Sequence, residues 1–354
     1  MIKLDSLKLK FNANTVKDIN FNNFIAIEKK DSNKNLLSKK LVLDISKSYQ
    51  LGLKNIELTY SNLGLIEYGV IELSAKILKQ DYFDLINKNN IEKVIDTINN
   101  SDAIKFNSRF LDTAEVLKTD VTENLIVSKE VSDYIKALQF CNISDKYRIE
   151  KYKNEAIVFK RNVLSYKERM IFYDKYAEML KDKEAKFLNI EKFRNVLRCE
   201  NNIVSFERLR KNFEIKYSKI YLKDILNSNK QVNYETFNRI IDNNNLSERL
   251  FSNEFLDMSL KQIEKRLGQE CIINYFEFDL NKIFEFLKIH NKSRTKTYSD
   301  FKEYKTVLLS MQSERYIESK QIEYIEKIKE IKELLKVAWL CFFWFFLFNF
   351  NYYI

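Results

Sequence analysis

The sequence has no proline and only four glycines in 354 residues. These two residue types usually mark where helices and strands end, so element boundaries are weakly signposted. There is one histidine, His290, which excludes a two-histidine metal site within the chain and argues against histidine-based triads. Cys141, Cys199, Cys271 and Cys341 show no CxxC or zinc-finger spacing, so they read as scattered free thiols of a reducing cytoplasm. Any metal would therefore sit on carboxylates, which favours Mg²⁺ or Mn²⁺. No GxxxxGK[ST] loop occurs, and no nucleotide cofactor is expected. Residues 1–11 alternate polar and apolar side chains like a first strand, unlike a secretory leader.

The hydrophobic fraction of 45% and charged fraction of 31% are those of a globular protein. The length suggests about two domains. Asparagine, lysine and isoleucine are abundant, as AT-rich coding bias produces. The net charge of +10 points to a polyanion partner, nucleic acid or an anionic membrane surface, although lysine-rich coding bias gives the same sign. Residues 337–354 are almost wholly apolar and aromatic and reach the lower limit for a membrane span. A tail anchor is one reading. A non-native frame is the other, favoured by Asn349, Asn351 and the run of poor helix-forming phenylalanines.

The chain is organised around Arg169-Met-Ile-Phe-Tyr-Asp-Lys-Tyr-Ala-Glu178, read as a strand turning into a helix. In a strand, Ile171, Tyr173 and Lys175 share a face. An ammonium beside a phenol favours the phenolate, and such a tyrosine can attack a phosphodiester. Further strands are expected at 55–60, 68–76, 116–127, 155–160 and 194–203. Their polar faces would hold Glu72, Asp120 with Lys118 and Thr122, and Arg198 with Glu200. Helices are expected at 36–49, 81–98, 129–140, 205–213, 221–228, 233–245, 252–267 and 299–336. The fold class is α+β: an antiparallel sheet with helices packed on one face, followed by a mainly helical C-terminal region. The bare polar face would suit a hard cation on carboxylates, a tyrosine, and cations that neutralise a phosphodiester.

Four stretches occur in order: Val70-Ile-Glu-Leu-Ser-Ala-Lys-Ile-Leu78, Lys118-Thr-Asp-Val-Thr122, Met170-Ile-Phe-Tyr-Asp-Lys-Tyr-Ala-Glu178 and Val196-Leu-Arg-Cys-Glu200. Together they resemble the "VEIKAS-x-x-K", "RIDAT", "Y-x-K-x-x-E" and "RFE" segments of the gene II/X family of replication initiation proteins. The chain also shares features with plasmid rolling-circle initiators of the Rep_trans type. The resemblance covers about residues 1–310. It implies a palm- or HUH-nuclease-like form of the α+β fold. It also implies a metal-dependent DNA nicking and strand-transfer enzyme with Tyr173 as nucleophile, Lys175 and Glu178 as its motif partners, and Arg198 as charge stabiliser. Glu72, Asp120 and Glu200 are the acidic positions for Mg²⁺ or Mn²⁺, with the division of roles among them open. Asp174 and Tyr176 depart from the pattern, and Tyr176 is a rival nucleophile.

The division expected is 1–203 as nicking domain, 204–310 as helical DNA-docking region, 311–336 as a charged amphipathic helix suited to self-association, and 337–354 as the apolar tail. Lys292, Arg294, Lys296 and Tyr298 form a basic loop with an aromatic, suited to phosphates and an unstacked base. The partners implied are single-stranded or hairpin origin DNA, with a host helicase and polymerase. Two other readings stand beside this one: a non-catalytic origin-binding or regulatory protein, and a membrane-tethered protein.

Overall fold

The computed structural model describes all residues except 31–35, 48, 62–63, 140, 142, 153–154, 162–167, 242–258, 277–278, 292 and 350–354. The strands are β1 (Leu4–Asn12), β2 (Val16–Ile19), β3 (Phe24–Lys30), β4 (Leu36–Leu43), β5 (Leu53–Tyr60), β6 (Ile66–Ser74), β7 (Ile104–Phe106), β8 (Glu115–Ile126), β9 (Tyr147–Tyr152), β10 (Ala156–Arg161), β11 (Glu168–Asp174) and β12 (Val196–Ile203). The helices are α1 (Ile91–Asn99), α2 (Phe110–Thr113), α3 (Val131–Gln139), α4 (Lys175–Leu180), α5 (Phe206–Phe213), α6 (Leu222–Leu226), α7 (Val232–Ile240), α8 (Leu260–Tyr275), α9 (Leu280–His290) and α10 (Arg294–Asn349). The helix expected at 36–49 is instead strand β4. Its alternation is masked by the doubled Leu36-Leu37 and Lys39-Lys40, which also satisfy a helical period.

Ten strands form one antiparallel sheet in the order β3-β4-β5-β6-β1-β8-β12-β11-β10-β9, and β2 pairs with β7 separately. The order is a palindrome. β1 and β8 lie side by side at the centre, and each is flanked by a four-strand meander whose last strand returns to it. The two halves match in register as well. Ser6 faces Asp120 across the centre; Ser74 flanks Ser6, and Asn202 flanks Asp120.

One sheet face is apolar and covered, as strand alternation requires. Leu7, Leu9 and Phe11 of β1, Ile56 and Leu58 of β5, and Ile71 and Leu73 of β6 are buried in one core. Gly69 opposes Phe11 across the β1–β6 pairing, where a Cβ would come within 2.2 Å of the Phe11 ring. In the other half Phe172 packs edge-on against Phe237 of α7 at 5.6 Å. Also on this face, Glu168 is fully buried with Arg208 at 2.5 Å and Asn212 at 2.9 Å, so that its charge is paired within the covered layer. The opposite face carries the polar side chains.

The chain divides into two compact units, residues 1–242 with 327–354, and residues 243–326. The boundary therefore does not fall at 203. Leu209 and Phe213 of α5, Leu222, Ile225 and Leu226 of α6, and Val232 of α7 share the core of β1. The second unit is helical, with Ile273, Ile283, Leu287, Tyr304, Val307, Leu308 and Met311 at its centre. The charged helix expected at 299–336 runs on from Arg294 to Asn349. Within the first unit its Ile328, Ile331 and Leu335 are buried, and Glu330 accepts hydrogen bonds from Tyr134 (2.6 Å) and from the backbone NH of Ser128 (3.0 Å). That part of the apolar stripe is used inside the chain; Ile322 remains exposed. Among the described residues, no helix is long and apolar enough to cross a membrane.

Candidate active site

The polar face brings two rows of side chains together. In one, Asn124 of β8, Arg198 of β12 and Tyr173 of β11 are cross-strand neighbours; in the next, Thr122, Glu200 and Ile171 are. Asp120 and Ser6 lie one row further on. Asp5 joins them because the β1–β8 register slips between Leu4 and Ser6. A bulge of this kind re-aims a side chain that simple alternation would turn the other way. Of these, Asp5, Ser6, Asp120, Tyr173 and Glu200 line a cavity of about 540 Å³, together with Tyr49, Gln50, Lys54, Ser74, Lys76, Tyr82, Lys175, Glu178 and Glu184.

Tyr173 donates its hydroxyl hydrogen to Glu200 Oε1 at 2.5 Å. The Arg198 guanidinium is wholly buried. Its Nε donates to Asn124 Oδ1 at 2.9 Å, and its Nη1 donates to the Tyr82 hydroxyl at 2.8 Å and to Asp5 Oδ1 at 3.2 Å. Nη1 also stands 3.8 Å from Glu200. Among the described residues its Nη2 is buried without a hydrogen-bond partner. A buried donor left unused is costly, and an anion supplied to it would recover that cost. Asn202 donates to Asp120, fixing that carboxyl in place.

Strand β11 ends at Asp174, and Lys175 is the first residue of α4. The Asp174 carboxylate caps this helix by accepting from the Ala177 NH at 2.9 Å, so its charge is spent on the helix terminus. Lys175 thus reaches the site from a helical turn and not by strand alternation. Its Nζ stands 5.6 Å from the centre of the Tyr173 ring and 5.1 Å from that of Tyr82, and donates to Glu178 at 2.6 Å.

The electrostatics overturn one expectation. Burial, and then the charges of Glu200 and Asp5, hold the Tyr173 phenol well above its ordinary range; Arg198 opposes this without reversing it. Burial and these two carboxylates thus work against the lowered phenol expected from Lys175. Burial, with Asp5 close by, pushes Glu200 up to about 7 against the pull of Arg198. Burial also raises Asp120. It opposes the ionisation of Asp5, but Arg198, Lys175 and the Tyr82 hydrogen bond outweigh it and hold that carboxyl low. Burial and the neighbouring Arg198 lower the Lys175 ammonium.

Of the residues singled out from sequence, Tyr173, Lys175, Glu178, Asp120 and Glu200 line the cavity, with Arg198 buried behind it. Glu72 does not. It occupies, in the other half of the palindrome, the place Glu200 holds beside β8, and there it pairs with Lys8 at 3.5 Å. The Tyr176 hydroxyl reaches Glu191 at 3.4 Å, and Tyr176 is not among the cavity residues. Asp5, Tyr82 and Lys76 were missed. Asp5 depends on a bulge and Tyr82 on a 3₁₀ segment, neither of which leaves a periodic signal.

The four residues proposed for DNA contact belong to the second unit. Lys292 lies outside the described residues. Arg294, Lys296 and Tyr298 are exposed in the first turns of α10 and not in a loop, with the Arg294 guanidinium 5.8 Å from the centre of the Tyr298 ring.

Asp5, Asp120 and Glu200 offer only carboxylate oxygens, the donor chemistry of Mg²⁺ and Mn²⁺. Two of the three are raised by burial, and a cation would relieve that. Among the described residues, no three acidic, cysteine or histidine side chains are already grouped as a metal site.

No protein-family model matches the chain. A Plasmodium falciparum protein, Protein PFC0760c, is 28% identical over 231 residues, which is 60% of this chain and 6% of that protein. The chain thus spans a small fraction of the relative it matches. A crystal structure of the di-domain ARO/CYC BexL from the BE-7585A biosynthetic pathway aligns with 56% of this chain and 71% of that one, at 9% identity and a TM-score of 0.19. Neither likeness defines a family or an activity.

Proposed function

We propose that the chain is a DNA nicking and strand-transfer enzyme of the rolling-circle initiator kind. The observation that carries this reading is the Tyr173–Glu200 hydrogen bond of 2.5 Å, beside a buried arginine with an unused donor nitrogen. Tyr173 Oη attacks the scissile phosphorus as its proton passes to Glu200, whose acidity near 7 suits a base at neutral pH. An Oη–P bond forms, and the bond from phosphorus to the 3′ oxygen breaks. The departing oxygen takes a proton from Lys175, the group burial has made readier to release one. Arg198, buried behind the cavity, adds its positive field to the phosphoryl oxygens. The product is a 5′-phosphotyrosyl link and a free 3′ hydroxyl, and the reverse reaction rejoins the strand. When bound, Mg²⁺ or Mn²⁺ on Asp120, with Asp5 as the second carboxylate, would polarise the phosphate and leave Glu200 as the base.

The partners of this reading are origin DNA in single-stranded or hairpin form, and a host helicase and polymerase that use the freed 3′ end. It implies a cytoplasmic location. The sequence resemblance to the gene II/X initiators and the net charge of +10 support it. Origin binding without cleavage is the second reading, and the weak acidity of the buried Tyr173 phenol favours it.

The test is a nicking assay on supercoiled DNA carrying the chain's own replicon, with Mg²⁺ or Mn²⁺, beside Tyr173→Phe. A nick with protein on the 5′ end, absent in the variant, supports the enzyme. Nicking that survives Tyr173→Phe moves the nucleophile elsewhere. Tight origin binding with no nick in either metal supports the binding protein.

A further inference from the structure

Part of the cavity lining plays no role in the chemistry above. Glu184 closes it with a single carboxylate. Oε1 accepts from the Tyr49 hydroxyl at 3.0 Å, and Oε2 accepts from Lys76 Nζ at 2.7 Å. Asp182 holds the same ammonium at 2.5 Å. The turn is set by the Glu184 backbone NH donating to Asp182 Oδ1 at 2.9 Å. Lys76 is four-fifths buried, Tyr49 is 57% exposed, and both line the cavity that Tyr173 and Glu200 line. Lys54 lines it as well.

Two carboxylates against one ammonium leave an excess of negative charge at the mouth of a site meant for a phosphodiester. A phosphate competes for the same lysine with the same acceptor chemistry. Tyr49 is held to Glu184 through its hydroxyl and is exposed, so it offers ring surface on which a base can stack. Lysine and an exposed aromatic on one rim are the two parts of a single-strand subsite.

We infer that Tyr49 and Lys76 form a nucleotide subsite that Glu184 and Asp182 mask in the free protein. A base stacks on Tyr49, and the adjoining phosphate takes the place of Glu184 on Lys76. This rests on the strand-transfer reading and names the neighbour of the scissile phosphate in the same cavity. Glu184 then acts as a stand-in for substrate: it neutralises the cation until a strand displaces it.

The experiment measures binding of a fluorescent oligothymidylate by anisotropy over a salt series, in the Tyr173→Phe background so that nothing is cleaved. Lys76→Gln should weaken binding about tenfold and lower the salt slope by about one; Lys76→Arg should preserve both. Glu184→Gln breaks the same ion pair from the other side and should tighten binding. Tyr49→Ala should weaken binding with the salt slope unchanged. A structural ion pair gives the same sign from either side, as melting temperatures taken in parallel would register. If Lys76→Gln and Glu184→Gln shift affinity in the same direction, or neither shifts it, the subsite is overturned while the nicking reading stands. If the parent binds no oligothymidylate, the subsite is overturned, and the nicking reading is decided by the origin assay alone.

Discussion

Tyr173 and Glu200 are diagonal neighbours, not cross-strand partners. In the β11–β12 register Tyr173 faces Arg198 and Glu200 faces Ile171, yet the phenol and the carboxylate meet at 2.5 Å. Diagonal contacts of this kind are within reach of aromatic side chains. The arrangement bonds the nucleophile to a base from the next row while Arg198 stands beside it in its own row. It also depends on register: a slip of one residue would turn Glu200 to the covered face.

The first prediction concerns pH. With Glu200 as base, nicking should rise with pH until Glu200 is ionised, near 7. Glu200→Gln should remove that rising limb and lower the rate by roughly 10²–10⁴-fold. Stability runs the opposite way. The folded Glu200 binds its proton more tightly than an unfolded glutamate. Its contribution is therefore fully present below the ordinary carboxylate range and is lost as pH rises to about 7. At about pH 8 Glu200→Gln should melt a few degrees above the parent, while at acid pH the two should converge. Thermal melting across pH checks this. A variant less stable at every pH would show that the charge is not under strain.

Arg198 should tolerate no replacement. Arg198→Ala leaves Asp5 and Glu200 in a buried site without their shared cation, a change that costs about 3–5 kcal/mol. Arg198→Lys keeps the charge but cannot serve Asn124, Tyr82 and Asp5 together, so it should fall between. Urea denaturation orders the three proteins. Because Asp5 is held low mainly by Arg198 against burial, its stabilising share is present above the ordinary carboxylate range. That share should fade as pH falls, and it should be missing in Arg198→Ala.

The rival tyrosine gives a third prediction. Tyr176→Phe removes only a 3.4 Å contact to Glu191 outside the cavity, so nicking should continue at the parent rate. Asp174→Ala removes a helix cap and should cost about 1 kcal/mol of stability. A large loss of nicking in Tyr176→Phe, with melting unchanged, would transfer the nucleophile.

Much of this site was legible in sequence. Once 116–127 and 194–203 are read as strands, the shared faces of Asp120 with Thr122 and of Arg198 with Glu200 follow from the two-residue spacing, although burial along β8 and β12 does not alternate cleanly. What spacing could not show was distance across the sheet. Glu72 and Glu200 look alike because each stands two residues before the one that flanks the central pair, but they lie on opposite sides of that pair. Asp5 was hidden by a bulge, and the β4 strand by doubled leucines and lysines. The acidity of Tyr173 was misjudged because a lysine two residues away is visible in sequence, whereas burial and two facing carboxylates are not.

The last prediction separates the two halves of the sheet. If the cation sits in the cavity, Asp120 should matter to it and Glu72 should not. Burial raises the Asp120 carboxyl despite Lys118, Ser6 and Asn202, so a divalent ion there gains a ligand whose charge is poorly compensated. Glu72 is already paired with Lys8 on a solvent-facing stretch, where a surface ion pair contributes about 0–1 kcal/mol. Mn²⁺ binding, followed by its relaxation of water protons, should weaken in Asp120→Asn and stay unchanged in Glu72→Gln. Both variants should remain folded, since neither residue holds an element together. Equal weakening in the two would tie the halves into one metal site and remove the cavity as its location.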